Sequence, residues 1–307
     1  MDLLIIGSVA FDSVETPFGK VKKTLGGSAT YAALSARFFT KPSIVAVVGK
    51  DFKKKYFKLL EDNNINTTGI EVLNGKTFFW KGYYSYDLNT ANTIETQINV
   101  FSNFNPQLDD EFRNMKFIFL GNIDPDLQYN VYTQLINPKI VACDTMNCWI
   151  KNKPKELKKV LKFIDIFFIN ESEIRQLTNE YNIIKAVKIV KKLGPKIIIV
   201  KRGEYGSMCF YKENIFTIPA YPLETVFDPT GAGDSFAGGV MGFIASKLNS
   251  SKNLNEKLLR QGIIFGTVLA SFCVEEFSVK KLLKINYKNI LDRYKEIKKI
   301  TFFEDIK

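Results

Sequence analysis

The sequence contains no histidine, and this absence removes one of the commonest catalytic residues from consideration. A histidine general base, a histidine metal ligand and a histidine pH switch are all excluded. Any acid–base chemistry must therefore be carried by Asp, Glu, Lys, Tyr or Cys side chains.

Cysteine is scarce as well. The four cysteines are Cys143, Cys148, Cys209 and Cys273. None belongs to a Cys-x-x-Cys pair, so neither a zinc site nor a redox motif has the spacing it needs. All but Cys148 lie in apolar segments. We interpret them as reduced core residues, which favours a cytoplasmic protein.

Long apolar runs are also missing. No stretch of the chain approaches the roughly 20 apolar residues of a membrane-spanning helix. The first residues, MDLLIIGSVAFD, lack the basic start of a signal peptide. The formal charge is +11, but the lysines are scattered rather than gathered in a long basic run. We therefore expect neither membrane association nor nucleic-acid binding.

What the chain does contain is a series of short apolar runs that are continuous rather than alternating. Such runs indicate strands covered on both faces, as in a parallel sheet. Helical periodicity fills the gaps between them, and alternating strands and helices predict a layered α/β fold. Ligands of such folds gather at the carboxyl ends of the strands. The runs are Leu3 to Ile6, Ile44 to Val48, Phe117 to Leu120, Ile140 to Cys143, Ile166 to Ile169 and Ile197 to Val200.

Two segments depart from this pattern. Residues 13–25 are polar without a helical period, and residues 77–100 are rich in Thr, Tyr, Phe and Asn. Both are typical of strands outside the main sheet. Because they adjoin Gly26-Gly27 and Gly75, we expect a small β lid on flexible hinges. Exposed lid edges often pair with another subunit, so a homodimer through the lid is a further hypothesis.

The strongest motif is DPTGAGDSFAGG, from Asp228 to Gly239. Gly231, Ala232 and Gly233 carry little or no side chain, so a ligand can approach the backbone closely. A helix that starts here presents free N–H groups and forms an anion site. Asp234 follows inside the first helical turn, where it can reach a hydroxyl aimed at a bound phosphate. The alternative is a plain helix start with a favourable acid.

Other phosphate-binding motifs fail. A Walker A loop ending at Gly75-Lys76-Thr77 would need glycine at the position of Ile70. A dinucleotide fingerprint that begins at Gly231 would need glycine at the position of Phe236. The glycine turn is therefore a different type of phosphate site.

At these residues the sequence resembles the ribokinase/PfkB family of sugar and nucleoside kinases over essentially the whole chain. The family's signatures are Gly26-Gly27 followed by SATYAA, Asn-x-x-Glu at Asn170 to Glu173, the strand and turn VKRGEYG, and Asp228 to Asp234. The resemblance implies a single ribokinase-like domain over residues 1–307, a three-layer α/β/α sandwich. It would have a mainly parallel central sheet and a lid formed by about 13–25 and 77–100.

The resemblance also implies roles on the phosphate-donor side. Asp234 would be the general base, and the amides of Gly231, Ala232 and Gly233 would form the anion hole. Asn170 and Glu173 would organise Mg²⁺ and its waters; the alternative for this pair is a helix cap with an acidic first turn. Residues that would border the ATP nucleotide are Lys201, Gly203, Gly206 and Thr230, with the helix around Gly262 to Phe272 on its other side.

On the acceptor side, the resemblance implies that Asp12 binds hydroxyl groups, for which a carboxylate with two acceptor oxygens is suited. A surface turn residue is the alternative. Gly26-Gly27 would be the hinge of the lid, and Asp144 and Asn147 would lie near the acceptor or the phosphates. Some family members bind a monovalent cation near the first aspartate of the signature, here Asp228, so K⁺ is left open.

One position departs from the family pattern. Where ribokinase-like members carry a sugar-binding asparagine, this chain has Tyr31. An aromatic ring can stack on a base or sugar face, or it can pack in the core. This difference weakens the case for free ribose as the acceptor.

The function implied by the resemblance is an ATP-dependent phosphotransferase acting on a primary hydroxyl of a sugar. A nucleoside kinase is the first alternative, with Tyr31, Trp80 and Tyr83 as candidate rings around a base; they can equally be lid or core aromatics. A non-catalytic nucleotide-binding regulator on the same fold is the second alternative. The intact Asp234 and glycine turn argue against it.

Overall fold

The computed structural model describes residues 3–248 and 253–306, whose strands form a large and a small sheet. The large sheet has nine strands, and the small sheet has four. The strands are β1 Leu3–Ile6, β2 Ala10–Thr16, β3 Gly19–Gly26, β4 Pro42–Gly49, β5 Asn66–Leu73, β6 Phe78–Tyr84, β7 Ala91–Gln97, β8 Phe117–Leu120, β9 Ile140–Cys143, β10 Ile166–Asn170, β11 Ile197–Lys201, β12 Ser207–Tyr211 and β13 Asn214–Ile218.

The large sheet has the order β13-β12-β11-β10-β9-β8-β1-β4-β5. Pairing is parallel from β5 to β11, and β12 and β13 add antiparallel strands at one edge. Each of the continuous apolar runs lies within a strand of this sheet, so the predicted mainly parallel α/β fold is confirmed. Along β1, Leu3 and Ile5 enter one hydrophobic cluster while Leu4 and Ile6 enter another. This alternation shows that both faces of the sheet are covered.

Helices cover the two faces and complete three layers. On one face lie α1, α9, α10, α11 and α12, and on the other lie α4, α6, α7 and α8. Nowhere in residues 3–248 or 253–306 is there a helix both long and apolar enough to span a bilayer. The helices are α1 Ser28–Ala36, α2 Lys54–Glu61, α3 Asp110–Arg113, α4 Pro125–Gln134, α5 Asn147–Asn152, α6 Pro154–Leu161, α7 Glu171–Thr178, α8 Ile183–Lys191, α9 Ala232–Lys247, α10 Glu256–Cys273, α11 Lys280–Lys284 and α12 Tyr287–Ile300.

The helix that follows the glycine turn, α9, packs very closely on α1. A Cβ atom on Gly238 would lie 2.1 Å from the carbonyl oxygen of Ala32, and one on Gly242 would lie 2.7 Å from Cα of Ala36. Only glycine permits this approach, because a real Cβ at either distance would overlap the neighbouring backbone. The contact fixes the position of α9 relative to α1, and the N-terminal ends of both helices lie at the candidate site.

The small sheet has the order β3-β2-β6-β7, and we refer to it as the lid sheet. Its strands come from residues 10–26 and 78–97. The strand β2 pairs antiparallel with β3 and parallel with β6. Thr16 on β2 donates its hydroxyl to the carbonyl oxygen of Phe227 at 2.8 Å, which ties the lid sheet to the segment just before the glycine turn.

Candidate active site

The glycine turn forms the N-terminus of α9. Gly231 is the N-cap residue with φ 78°, a left-handed conformation that favours glycine. Ala232 donates its N–H to the carbonyl oxygen of Pro229 at 3.2 Å. Within the described part of the chain, the N–H groups of Gly231, Gly233 and Asp234 have no such backbone acceptor. These groups and the helix dipole favour an anion at this point.

Asp228 holds the turn in shape. One carboxylate oxygen accepts from the N–H of Thr230 at 3.0 Å, and the other accepts from the N–H of Ser278 at 3.1 Å. The side chain is almost completely buried, and burial raises its pKa while these hydrogen bonds oppose the rise. Asp228 therefore connects the glycine turn to the segment after α10.

Tyr31 supports the same turn from below. A Cβ atom on Gly231 would lie 2.4 Å from the Tyr31 ring, and Tyr31 is only 1% exposed. Of the two alternatives for this residue, the structure shows the second, a ring packed in the core. The ring therefore faces the underside of the turn and is not presented as an open stacking surface.

Lys201 places a positive charge beside the glycine turn. Its Nζ lies 2.5 Å from a carboxylate oxygen of Asp144, and a Cβ atom on Gly233 would lie 3.2 Å from Nζ. Burial lowers the pKa of Lys201, but the neighbouring Asp144 and Glu173 outweigh this effect, so that the net pKa is raised. The ammonium group is therefore charged at neutral pH and close to the predicted anion hole.

Asp234 lies inside the first turn of α9, as the motif predicted. Burial raises its pKa to about 7, Asp144 adds to the rise, and Lys201 opposes it. A carboxylate with a pKa near the working pH is a better base than one with an ordinary pKa. The environment of Asp234 is therefore suited to proton abstraction from a hydroxyl group.

Asp12 lies on β2 and is 5% exposed. A Cβ atom on Gly26 would lie 1.8 Å from its carboxylate, so glycine at this position is what leaves room for the carboxylate. Burial raises the pKa of Asp12 to about 7, with further increases from Asp228 and Asp234, while the N–H of Gly27 lowers it. Asp12 is thus buried beside the glycine turn and is not a surface turn residue.

Gly27 has φ 95° and is the N-cap residue of α1. A Cβ atom on it would lie 2.4 Å from the carbonyl oxygen of Ser8. Both glycines of the pair are therefore demanded by local geometry, one by backbone conformation and the other by the carboxylate of Asp12.

Asn170 and Glu173 form a reciprocal cap at the start of α7. The Asn170 side chain accepts from the N–H of Glu173 at 2.8 Å, and the N–H of Asn170 donates to Oε2 of Glu173 at 2.8 Å. The helix-cap alternative for this pair is therefore present in the structure. Burial raises the pKa of Glu173 to about 7, with Lys201 opposing and Asp144 adding to the rise.

A metal cage built from protein side chains alone is not found in the part of the chain that the structure describes. No group of three or more Asp, Glu or Cys side chains there is arranged to hold a metal ion. Oε1 of Glu173 takes no part in the cap, which uses Oε2. When the Glu173 carboxyl is ionised, this remaining oxygen can still help to bind a hydrated cation.

Three further predicted residues lie in segments that follow strands of the large sheet, Asn147 after β9, and Gly203 and Gly206 after β11. Asn147 begins the short helix α5 and is exposed. Gly203 and Gly206 both have positive φ, and a Cβ atom on Gly206 would lie 2.0 Å from the carbonyl oxygen of Ile218. The turn after β11 therefore depends on both glycines, as a close backbone turn beside a ligand would.

Trp80 and Tyr83 lie on opposite faces of the lid sheet. Trp80 is paired with Asp12 across β2 and β6, so it shares the face on which Asp12 lies. Tyr83 is an odd number of residues away and is 43% exposed on the other face. Of these two predicted aromatic rings, the structure brings only Trp80 to the side of Asp12.

The sequence of the chain also identifies its family. The chain matches the model of the pfkB family of carbohydrate kinases over residues 2–285. The chain belongs to this family. The match confirms the predicted resemblance, and the chain is therefore a kinase, as that resemblance implied.

Similar proteins include other kinases of this type. The cytidine kinase of Thermococcus kodakarensis is 28% identical over 247 residues, covering 78% of this chain and 87% of its own. The nucleoside kinase of Burkholderia thailandensis, solved with inosine, has a TM-score of 0.76 at 16% identity and covers 96% of this chain and 98% of its own. A putative ribokinase II from E. coli, solved with ATP and Mg²⁺, has a TM-score of 0.77 at 17% identity, with 96% and 99% covered.

Three polar residues of this pfkB kinase lie near the site without having been predicted. Tyr84 and Asn89 belong to the β6–β7 hairpin; Tyr84 contacts Thr230 and Asn89 contacts Glu204. Asn122 follows β8 and accepts from Nε1 of Trp149 at 2.9 Å. For Asn122 the signal was available, because it follows a predicted buried strand at the sheet edge where Asp144 and Asn170 were found.

Proposed function

We propose that this kinase transfers the γ-phosphoryl group of ATP to a primary hydroxyl of a nucleoside. The arrangement that carries the proposal is the buried pair Asp12 and Asp234 beside a glycine turn that is flanked by Lys201. The similarity to a cytidine kinase over most of both chains supports a nucleoside as the acceptor. Trp80, on the same sheet face as Asp12, supplies an aromatic ring that a base could contact.

Asp12 would hold the acceptor. Its carboxylate is largely desolvated, and hydroxyl groups that donate to it would replace the water it has lost. Because such donors stabilise the charged form, acceptor binding should lower the pKa of Asp12 from about 7. The acceptor would then lie between Asp12 and the base, with its CH₂OH group aimed at the glycine turn.

Asp234 would take the proton of that hydroxyl as its oxygen attacks the γ-phosphorus. The free amides of Gly231 and Gly233 would donate to the oxygens of the transferring group. Lys201 would compensate negative charge on the same group, because its ammonium lies against Gly233. Positioning would supply much of the rate, since a carboxylate is a weak base for an alcohol.

The nucleotide would lie along Lys201, Gly203, Gly206 and Thr230. Asn170 and Glu173 would hold Mg²⁺ through its water shell, and Oε1 of Glu173, which takes no part in the cap, is a candidate oxygen for this. When bound, Mg²⁺ would neutralise charge on the phosphates. Lys201 is surrounded by three carboxyl groups, those of Asp144, Glu173 and Asp234, and this excess of negative charge supports such a counter-ion.

Asp228 fits a monovalent-cation site less directly. Both of its carboxylate oxygens already accept backbone N–H groups, so a K⁺ ion near it would rely on other oxygens as well. A higher rate of turnover in K⁺ than in Na⁺ would indicate such a site.

We further propose that the chain acts as a single kinase domain with the lid sheet closing over the acceptor. Gly26-Gly27 and Gly75 would be the hinges. The strands β3 and β7 are the edges of the lid sheet, and pairing through such an edge would give a homodimer.

The test is ADP release from Mg²⁺-ATP across matched nucleosides and free sugars, with K⁺ or Na⁺ as the monovalent cation. Stimulation by cytidine or another nucleoside, with ribose inactive, supports the proposal. Stimulation by sugars alone would replace the nucleoside by a sugar and leave the phosphotransfer chemistry intact. ATP binding without turnover on any acceptor would favour the non-catalytic regulator.

A further inference from the structure

The β6–β7 hairpin of the lid sheet, residues 78–97, reaches the anion side of the site. At the end of β6, the Tyr84 hydroxyl lies 3.3 Å from Oγ1 of Thr230, the residue just before Gly231. Two residues further along, Tyr86 is 91% exposed. Tyr84 thus lies against the glycine turn, whereas Tyr86 is open to solvent.

The same hairpin makes a second contact with the nucleotide side. Asn89 donates its side-chain N–H to the carboxylate of Glu204 at 2.8 Å. A Cβ atom on Gly203 would lie 2.9 Å from Oδ1 of Asn89, so the loop rests directly on the turn after β11. One hairpin therefore touches both the glycine turn and the turn predicted to border the nucleotide.

The surroundings of Tyr84 keep its hydroxyl protonated. Burial raises the pKa of Tyr84, the hydrogen bond from Thr230 opposes the rise, and the nearby Asp228 and Asp12 add to it. Thr230 in turn donates its own N–H to Asp228. The hydroxyl of Tyr84 thus lies where the acceptor carboxylate Asp12, the turn-holding Asp228 and the glycine turn meet.

We propose that Tyr84 is a positioning residue that couples closure of the lid sheet to the shape of the glycine turn, with Asn89 as its second point of attachment. Through Thr230, Tyr84 fixes the residue that precedes the amides of the anion hole. The turn then has its productive geometry only while the hairpin covers the site and keeps water out. The inference rests on the proposed lid and on phosphoryl transfer to an acceptor.

Tyr84→Phe removes the hydroxyl and keeps the ring, and Tyr86→Phe is the matched control on the same hairpin. Loss of one hydrogen bond corresponds to about a 2- to 12-fold change, so we expect kcat for acceptor phosphorylation to fall by about that factor. Because water gains access, the ratio of ADP released to acceptor phosphorylated should rise above one. A general loss of folded enzyme would lower both quantities equally and leave the ratio unchanged.

A double-mutant cycle with Thr230 identifies the contact. If the two hydroxyls act together, Tyr84→Phe combined with Thr230→Val should lose no more activity than Thr230→Val alone, whereas independent effects would multiply. Thr230→Ser keeps the hydroxyl, so it should keep the wild-type ratio of ADP released to acceptor phosphorylated. Asn89→Ala and Glu204→Gln form an equivalent cycle for the second contact.

An acceptor-free measurement separates this inference from the proposed function. Hydrogen exchange of the amides in residues 85–90 should be slower in wild type than in Tyr84→Phe when ATP is bound, while Tyr86→Phe behaves as wild type. The proposal is overturned if Tyr84→Phe leaves both hydrogen exchange and the ADP-to-product ratio unchanged, or if the Thr230 cycle is multiplicative. If wild type phosphorylates no acceptor, the proposed function fails while the exchange result still decides the coupling.

Discussion

The Tyr31 ring lies directly beneath Gly231, so closely that a Cβ atom on the glycine would be 2.4 Å from it. Tyr31 lies in the first turn of α1, whose N-cap is Gly27, and Gly231 is the N-cap of α9. The contact links the glycine pair beside Asp12 to the turn that would bind phosphate. It also gives Gly231 two separate reasons to be glycine, since its φ is 78°.

Gly231→Ala should therefore damage both stability and activity. The positive φ and the contact with the ring together are expected to lower the free energy of unfolding by about 1 to 3 kcal/mol. The displaced turn should reduce kcat as well. Urea unfolding and turnover assays on the same preparation measure the two effects.

Gly262→Ala is the matched control for that substitution. Gly262 lies inside α10, and a Cβ atom there would meet its neighbours at an ordinary 3.5 Å. Alanine should stabilise that helix by about 0.5 to 1 kcal/mol because it restricts the unfolded chain. Equal effects at the two positions would contradict the special geometry of Gly231.

Asp234→Asn should remove the proposed base and preserve the fold. Loss of a general base lowers turnover by about 10²- to 10⁴-fold. ATP should still bind, because the amides of the glycine turn remain; equilibrium binding and kcat together check this. The exposed Asp292→Asn on α12 serves as the control with the same chemical change. Turnover within a few-fold of wild type would remove Asp234 from its assigned role.

The sequence predicts those parts of the site whose residues lie close together along the chain. The glycine turn and its aspartate lie within a few residues, so their chemistry could be predicted. The pairing of Asp144 with Lys201 spans 57 residues and crosses from β9 to β11 over an intervening strand. Nothing in the spacing of the sequence specifies that pair.

The lid aromatics show a second limit. Trp80, Tyr83 and Tyr84 are all aromatic residues of the same strand. Which of them faces Asp12 depends on the register of β6 against β2. A one-residue change of register would exchange the two faces. The sequence therefore predicted an aromatic strand here but could not select Tyr84.

Asp12→Asn should stabilise the ligand-free protein at alkaline pH while it weakens acceptor binding. The pKa of Asp12 is raised from 3.8 to about 7 in the folded state, so the native protein binds more protons than the unfolded chain between these values. Stability then falls as pH rises through that window, and the penalty is fully present above about pH 7. Asparagine carries no charge, so the variant avoids this loss of stability.

The expected gain at pH 8 is about 1 to 4 kcal/mol in the free energy of unfolding, the upper end being the full equivalent of the pKa shift. At pH 5 folded Asp12 is mostly protonated, so the gain should be smaller. Denaturant unfolding at the two pH values measures the difference. A variant that is less stable than wild type at pH 8 would show that the Asp12 carboxylate is compensated in the folded state.

Lys201→Met should change the pH dependence of the reaction as well as its rate. Since Lys201 lowers the pKa of Asp234, its removal should move the acid limb of kcat/KM to higher pH, above the value of about 7 set by Asp234 in the wild type. Asp12, the proposed acceptor ligand, also has a pKa raised to about 7, so the limb reports both groups together. Removal of the ammonium also leaves Asp144 buried without its partner, which should lower the free energy of unfolding by about 3 to 5 kcal/mol.

Lys153→Met is the control, because the Lys153 ammonium pairs with Asp124 and Asp126 in a more exposed setting. It should leave the pH profile in place and change stability by at most about 1 kcal/mol. An acid limb at the wild-type position in Lys201→Met would mean that Lys201 does not act on the base, and its role would then be confined to Asp144 and the phosphates.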